Sequence, residues 1–163
     1  MGWQNKVAAQ DAERSGGARI QYGALCWREA RSGIEVLLIT SRDTGRWIIP
    51  KGWPMPGLAP EAAAAQEAWE EAGVQGLVNP LCVGRYGYQK NLTADALVPC
   101  AVAVYGLQVT HMADSFPEAA QRRRGWFGAA TAASLVQEPD LAGLIGRFVP
   151  PPPSGRLAPI AGE

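Results

Sequence analysis

The sequence predicts an α+β domain, a mixed β-sheet with a helix on each side. Three observations point there. Apolar runs such as Glu35-Val-Leu-Leu-Ile-Thr40 carry β-branched residues and are bounded by turn signals. An alanine-rich stretch behind Pro60 has high helix propensity. Two short helical stretches close the chain at residues 129–136 and 139–148. Element order alone leaves several α+β folds open.

Taken in order, residues 1–17 are polar and small, and read as a flexible N-terminal segment without an apolar signal-type core. Residues 18–27 alternate enough for a first strand. Arg31-Ser32-Gly33 is a turn into a second strand at 35–40. Trp47-Ile48-Ile49 is a short apolar strand that Pro50 ends. Residues 52–59, with Pro54, Pro56 and Gly57, read as a loop.

Pro60 suits a first helical turn, where a missing N–H costs nothing, and Glu61 complements the helix dipole there. Ala62–Ala65, Ala68 and Ala72 favour the helix and allow close approach to a sheet, and Gly73 suits its C-terminal stop. Residues 81–89 and 96–109 read as a strand pair joined around Lys90-Asn91. The second of these keeps no strict alternation, which a bulge or burial on both faces would explain. Residues 18–149 thus form one domain, and residues 150–163, opening on four prolines, read as a disordered tail.

Composition narrows the function. A chain of 163 residues with 15 basic and 15 acidic side chains has no general polyanion-binding surface, which argues against nucleic acid. No apolar run is long enough for a membrane helix, so a cytoplasmic protein is expected. Cys26, Cys82 and Cys100 lack metal-ligand spacing and read as reduced, buried and inert. The single histidine, His111, reads as a surface residue in a loop after a strand. Nucleophilic catalysis has little to work with.

Glu67, Glu70 and Glu71 carry the chemistry. At about 100° per residue they share one helix face, with Glu67 and Glu71 about 40° apart. Packed like charges repel, and a divalent cation relieves that cost; all-oxygen ligands suit Mg2+ or Mn2+. Such a cluster points to phosphate chemistry. Glu67 and Glu71 would hold metal, and Glu70, offset on the face, would take a proton from water. Spacing alone does not separate Glu70 from Glu71 as the base.

The register from Gly52 through Glu67, Ala68, Glu70, Glu71, Gly73 and Val74 resembles the Nudix box, G-x5-E-x7-R-E-U-x-E-E-x-G-U, with U aliphatic. Two positions depart from it: Leu58 replaces the first Glu and Gln66 replaces the Arg. The flanks, Glu35–Arg42, Arg46–Trp53 and Pro117-Glu118 through Arg122-Arg123-Arg124-Gly125-Trp126-Phe127, are similar to the diphosphoinositol polyphosphate phosphohydrolase branch. The resemblance implies an α/β/α sandwich whose loop–helix–loop holds the metals. It implies metal binding by Glu67 and Glu71 and by the backbone carbonyl of Lys51, with Glu70 as base. It also implies phosphate contacts from Ser41, Arg42 and an arginine of the closing segment, for which Arg123 and Arg124 are the candidates. Gln66 can bond a carboxylate, Glu70 at i+4, but cannot neutralise it.

The expected function is metal-dependent hydrolysis of a phosphoanhydride in a nucleoside diphosphate-X compound, a dinucleoside polyphosphate or an inositol pyrophosphate. The alternatives are a catalytically weakened ligand-binding module and an RNA pyrophosphohydrolase. The partner is a small-molecule phosphoanhydride, and a homodimer is the candidate assembly.

Overall fold

In the computed structural model, residues 17–93 and 96–151 are described. The expected N-terminal segment and Pro-rich tail lie outside the described residues but for Gly17, Pro150 and Pro151. The strands are β1 (Arg19–Ala30), β2 (Gly33–Thr40), β3 (Trp47–Ile48), β4 (Lys51–Gly52), β5 (Val74–Thr93), β6 (Ala96–Met112) and β7 (Arg124–Gly128). The helices are α1 (Pro60–Ala72), α2 (Ala129–Leu135) and α3 (Pro139–Gly146).

One mixed sheet runs β3-β2-β1-β6-β5, with β4 also on β1 and β7 also on β2. β1 and β6 are parallel, from Arg19↔Cys100 to Trp27↔Gln108, and the other pairs are antiparallel. The far half of β1 pairs with β2, while Tyr22 and Gly23 pair with Gly52 and Lys51. Gly23 makes this possible: a Cβ there would lie 2.8 Å from Val102 Cγ1 and 3.3 Å from the Pro50 carbonyl.

The sheet is buried on both faces. Ala24, Cys26, Leu37, Ile39, Ala103 and Leu107 pack against Ala64, Ala68 and Ala72 of α1. Leu25, Val36, Leu38, Val102 and Val104 pack against Ala132, Leu141, Leu144 and Ile145 of α2 and α3. This is the α/β/α sandwich. It also explains the broken alternation of β6, whose residues Val102–Leu107 are all buried. Bulges occur as well, with register shifts such as Val78/Cys82 and Cys82/Gly84.

Several expectations are corrected. Gly52 is not loop but β4, because β1 leaves Tyr22 and Gly23 open to it; the loop is residues 53–59. β5 starts at Val74 directly after the helix, and its edge position tolerates Pro80. Lys90 and Asn91 lie within β5, opposite Val98 and Leu97, so the connection falls later, between Thr93 and Ala96. His111 is exposed as expected but stands on β6 opposite Gln75. Cys26 and Cys100 are buried, whereas the irregular register on the edge strand leaves Cys82 exposed. Among the described residues no helix is long and apolar enough to cross a membrane.

Candidate active site

Helix α1 builds the site. Pro60 opens it and Glu61 stands in its first turn. Gly73 closes it in the left-handed region, φ 68°, with its N–H on the carbonyls of Ala68 and Trp69. Phe116 would lie 2.3 Å from a Cβ at Gly73, so glycine is required twice over. The alanine stripe draws the helix onto the sheet. Glu67 and Glu71 interleave with those alanines and are consequently buried, 9% and 8% exposed, while Glu70 is half-buried.

β4 brings its backbone against these carboxylates. The Glu67 carboxylate rests on Gly52, where a Cβ would come within 2.3 Å of it. The Lys51 N–H donates to Glu71 Oε1 at 3.3 Å. Burial first, and the neighbouring Glu71 second, push the Glu67 carboxyl up to about 8. Burial also raises Glu71, against the opposing pull of Arg122 and Lys51. The Lys51 ammonium lies 4.9 Å over the Tyr88 ring, and burial lowers it to about 8.

Gln66 meets the expectation of an i+4 contact: its Nε2 donates to Glu70 Oε2 at 2.8 Å. Leu58 is an exposed side chain in the loop. The arginines divide. Arg42 is exposed and donates to Gln121 Oε1 at 3.1 Å, with Glu118 at 3.9 Å. Ser41 caps its own turn, with Oγ 2.8 Å from Thr44 Oγ1. Arg123 has an exposed side chain, and its backbone N–H bonds Thr40 Oγ1 at 2.8 Å. Arg124 faces elsewhere: its two Nη groups donate to the carbonyls of Ala72 and Ala113, both at 2.7 Å. It therefore satisfies the C-terminal end of α1.

The sequence reading did not single out Arg122 from its triplet. Its guanidinium lies 3.5 Å from Glu71 Oε2 and 2.9 Å from Glu118 Oε1. The Glu118–Arg122 spacing of four was the available signal. Arg46, one of the basic residues expected near the box, donates instead to buried Glu138 at 2.8 Å. A separate cavity of about 730 Å³ lies between β5 and α3, lined by Trp27, Leu77, Leu81, Leu144 and Phe148. None of the carboxylates of α1 lines it.

A divalent cation fits the carboxylate pair. Two buried acids side by side, with Gly52 opened to make room, form a donor set of hard oxygens. Among the described residues no group of three or more His, Cys, Asp or Glu side chains converges. Backbone carbonyl, water and substrate oxygens would therefore complete the shell, as is usual for Mg2+.

Fold and site together define a class: α/β/α sandwich proteins that set glutamates of one helix against the backbone of a short strand. The NUDIX domain family model matches residues 19–127, and the chain belongs to that family. It is a Nudix hydrolase of the pyrophosphohydrolase type. Diphosphoinositol polyphosphate phosphohydrolase 3-beta of Bos taurus is 30% identical over 135 residues, 82% of this chain and 76% of its own. Among solved structures, the E. coli dihydroneopterin triphosphate pyrophosphohydrolase aligns at TM-score 0.62 and 18% identity, over 80% of this chain and 94% of its own. The C. elegans Ap4A hydrolase aligns at TM-score 0.56 and 19% identity, over 86% and 98%. These two share the fold. Nudix hydrolases generally use divalent metal ions.

Proposed function

We propose that the protein hydrolyses a phosphoanhydride bond in a nucleoside diphosphate-X type substrate, a dinucleoside polyphosphate or an inositol pyrophosphate, with Mg2+ or Mn2+. The observation that carries this reading is the buried Glu67–Glu71 pair against the Gly52 backbone. Buried acids without a cation are unfavourable, and a fold keeps them when a ligand offsets the cost. The names of the relatives, which refer to inositol pyrophosphates and Ap4A, support the substrate class.

Each residue has a role. Glu67 and Glu71, with the Lys51 carbonyl, would hold the metal. When bound, the metal supplies charge neutralisation at the phosphate oxygens and acidifies water. Gln66 occupies Glu70 Oε2, which leaves Oε1 as the atom to take a proton. Arg42, exposed beside the site-flanking Glu118, reaches for phosphate oxygens in pairs. Ser41 holds the turn that presents Arg42, and Arg123 adds charge from the adjoining segment. A small-molecule substrate in the cytoplasm suits a chain whose charges balance.

The test is phosphate release from a panel of purified diphosphates with Mg2+ or Mn2+ and with chelator. Metal-dependent turnover of a dinucleoside polyphosphate or inositol pyrophosphate is expected. Tight binding without turnover across the panel would make the protein a ligand-binding module instead. Activity confined to 5′-triphosphorylated or capped RNA would reassign the substrate.

A further inference from the structure

We infer that Arg122 is the positioning residue for Glu71, supplying from the closing segment the cation that position 66 lacks. The inference rests on the reading of Glu67 and Glu71 as the metal-binding pair. It goes beyond that reading by explaining how the altered box stays organised.

The departure is specific. Gln66 stands where the Nudix box has arginine, and its neutral amide donates to Glu70 at 2.8 Å. From its own helix Glu71 meets the Glu67 carboxyl, another acid, and no cation. Among the described residues its N–H and cationic partners come from two other places: the Lys51 N–H at 3.3 Å and the Arg122 Nη2 at 3.5 Å from Oε2.

Arg122 is held in a way a phosphate-gripping arginine is not. Its side chain is 6% exposed, against 58% for Arg42. All three nitrogens have partners: Nε on Glu118 Oε1 at 2.9 Å, Nη1 on the Thr40 carbonyl at 3.0 Å, and Nη2 toward Glu71. A planar fork fixed at three points has one orientation. The segment carrying it is fixed too. Glu118 N–H bonds the Glu70 carbonyl at 3.0 Å, and Thr40 and Arg123 exchange backbone and hydroxyl bonds at 2.9 and 2.8 Å. Arg122 therefore stands in a set place relative to Glu71. The work of one arginine at position 66 is divided, Gln66 orienting Glu70 and Arg122 orienting Glu71.

The experiment uses the full chain with Arg122→Lys, Arg122→Gln and the double variant Arg122→Gln/Gln66→Arg, each checked by thermal unfolding. Turnover is measured on a dinucleoside polyphosphate. Binding of Mn2+ alone is measured by electron paramagnetic resonance. An ion pair that orients a site carboxylate acts on turnover, so Arg122→Gln should lower kcat by roughly 10–100-fold with KM within roughly threefold. The double variant should recover at least about tenfold of that loss. Arg122→Lys keeps the charge but loses the fork, so a weakening of Mn2+ binding by roughly threefold or more reports orientation rather than charge. Wild-type kcat in Arg122→Gln overturns the inference. So does a loss confined to KM, a lowered melting temperature with unchanged turnover per folded molecule, or a double variant no better than Arg122→Gln. If the wild-type chain hydrolyses nothing, the functional reading fails, and Mn2+ binding still decides. Weaker binding in Arg122→Lys sustains the positioning role, and unchanged binding overturns it.

Discussion

Replacing Gly52 by alanine separates the site from the fold. The added Cβ would lie 2.3 Å from the carboxyl carbon and Oε2 of Glu67, where ordinary contact begins at 3.4 Å. The carboxylate must therefore retreat by about 1.1 Å, the difference between those distances. The obstructed atoms are the end of a flexible side chain, so folding should be disturbed little, within about 1 kcal/mol. Catalysis should not be spared, because a misplacement of about 1 Å in a reacting constellation costs roughly 10²-fold. Steady-state hydrolysis with metal titration, beside a thermal melt, measures both. Gly128→Ala is the control, since nothing lies within 4 Å of its Cβ and its φ is −56°. Wild-type turnover in Gly52→Ala, at saturating metal, would refute the reasoning that Glu67 must sit against β4 to act.

Three further outcomes follow from the geometry. Glu70→Gln should cut turnover by roughly 10²–10⁴-fold with Mn2+ binding kept, whereas Glu71→Gln should weaken Mn2+ binding itself; retained turnover in Glu70→Gln removes Glu70 as base. Arg124→Ala should lower stability by about 1–3 kcal/mol with KM unchanged, as the carbonyls of Ala72 at the end of α1 and of Ala113 after β6 are stranded, while Arg42→Ala should raise KM for a dinucleoside polyphosphate with the melt unchanged; a melt and KM that respond the other way round would exchange their roles. In chelator, the Glu67 carboxyl holds its proton more tightly folded than unfolded, with about 8 against an ordinary 4.5. Its stabilising contribution is thus full below 4.5 and lost as pH rises through about 8, so the melting temperature should fall across that window and recover with Mg2+. A profile unaltered by Glu67→Gln would show that another group sets it.

The helix and its acids were legible because their information is local. Proline, alanine stripe, glutamate spacing and terminal glycine lie within one stretch of chain, and α1 runs Pro60–Ala72 with Gly73 as its cap. The two-sided burial of the sheet was legible only as an ambiguity, since Val102–Leu107 show no alternation when both faces are covered. What stayed hidden depends on partners distant in sequence. Gly52 becomes strand because Tyr22 is open to pair with it, and Arg122 becomes buried because Thr40 lies beside it. Arg124 looked equivalent to Arg122 in a basic triplet. Arg122 lies before β7 begins and reaches Glu71, whereas Arg124, the first residue of β7, reaches the carbonyls of Ala72 and Ala113.

The alanine stripe of α1 has a consequence for altering this protein. Ala64, Ala68 and Ala72 set how closely the helix lies on the sheet, and the two buried glutamates share that seam. Any larger side chain there lifts the carboxylates away from Gly52 along with the helix. Thermostability and catalytic rate are thus tied to one mechanical spacing on this side of the sheet. On the opposite side Ala132, Leu141, Leu144 and Ile145 form a core without those carboxylates. Repacking aimed at heat tolerance belongs on that second side, and a selection for robustness should accumulate its changes there.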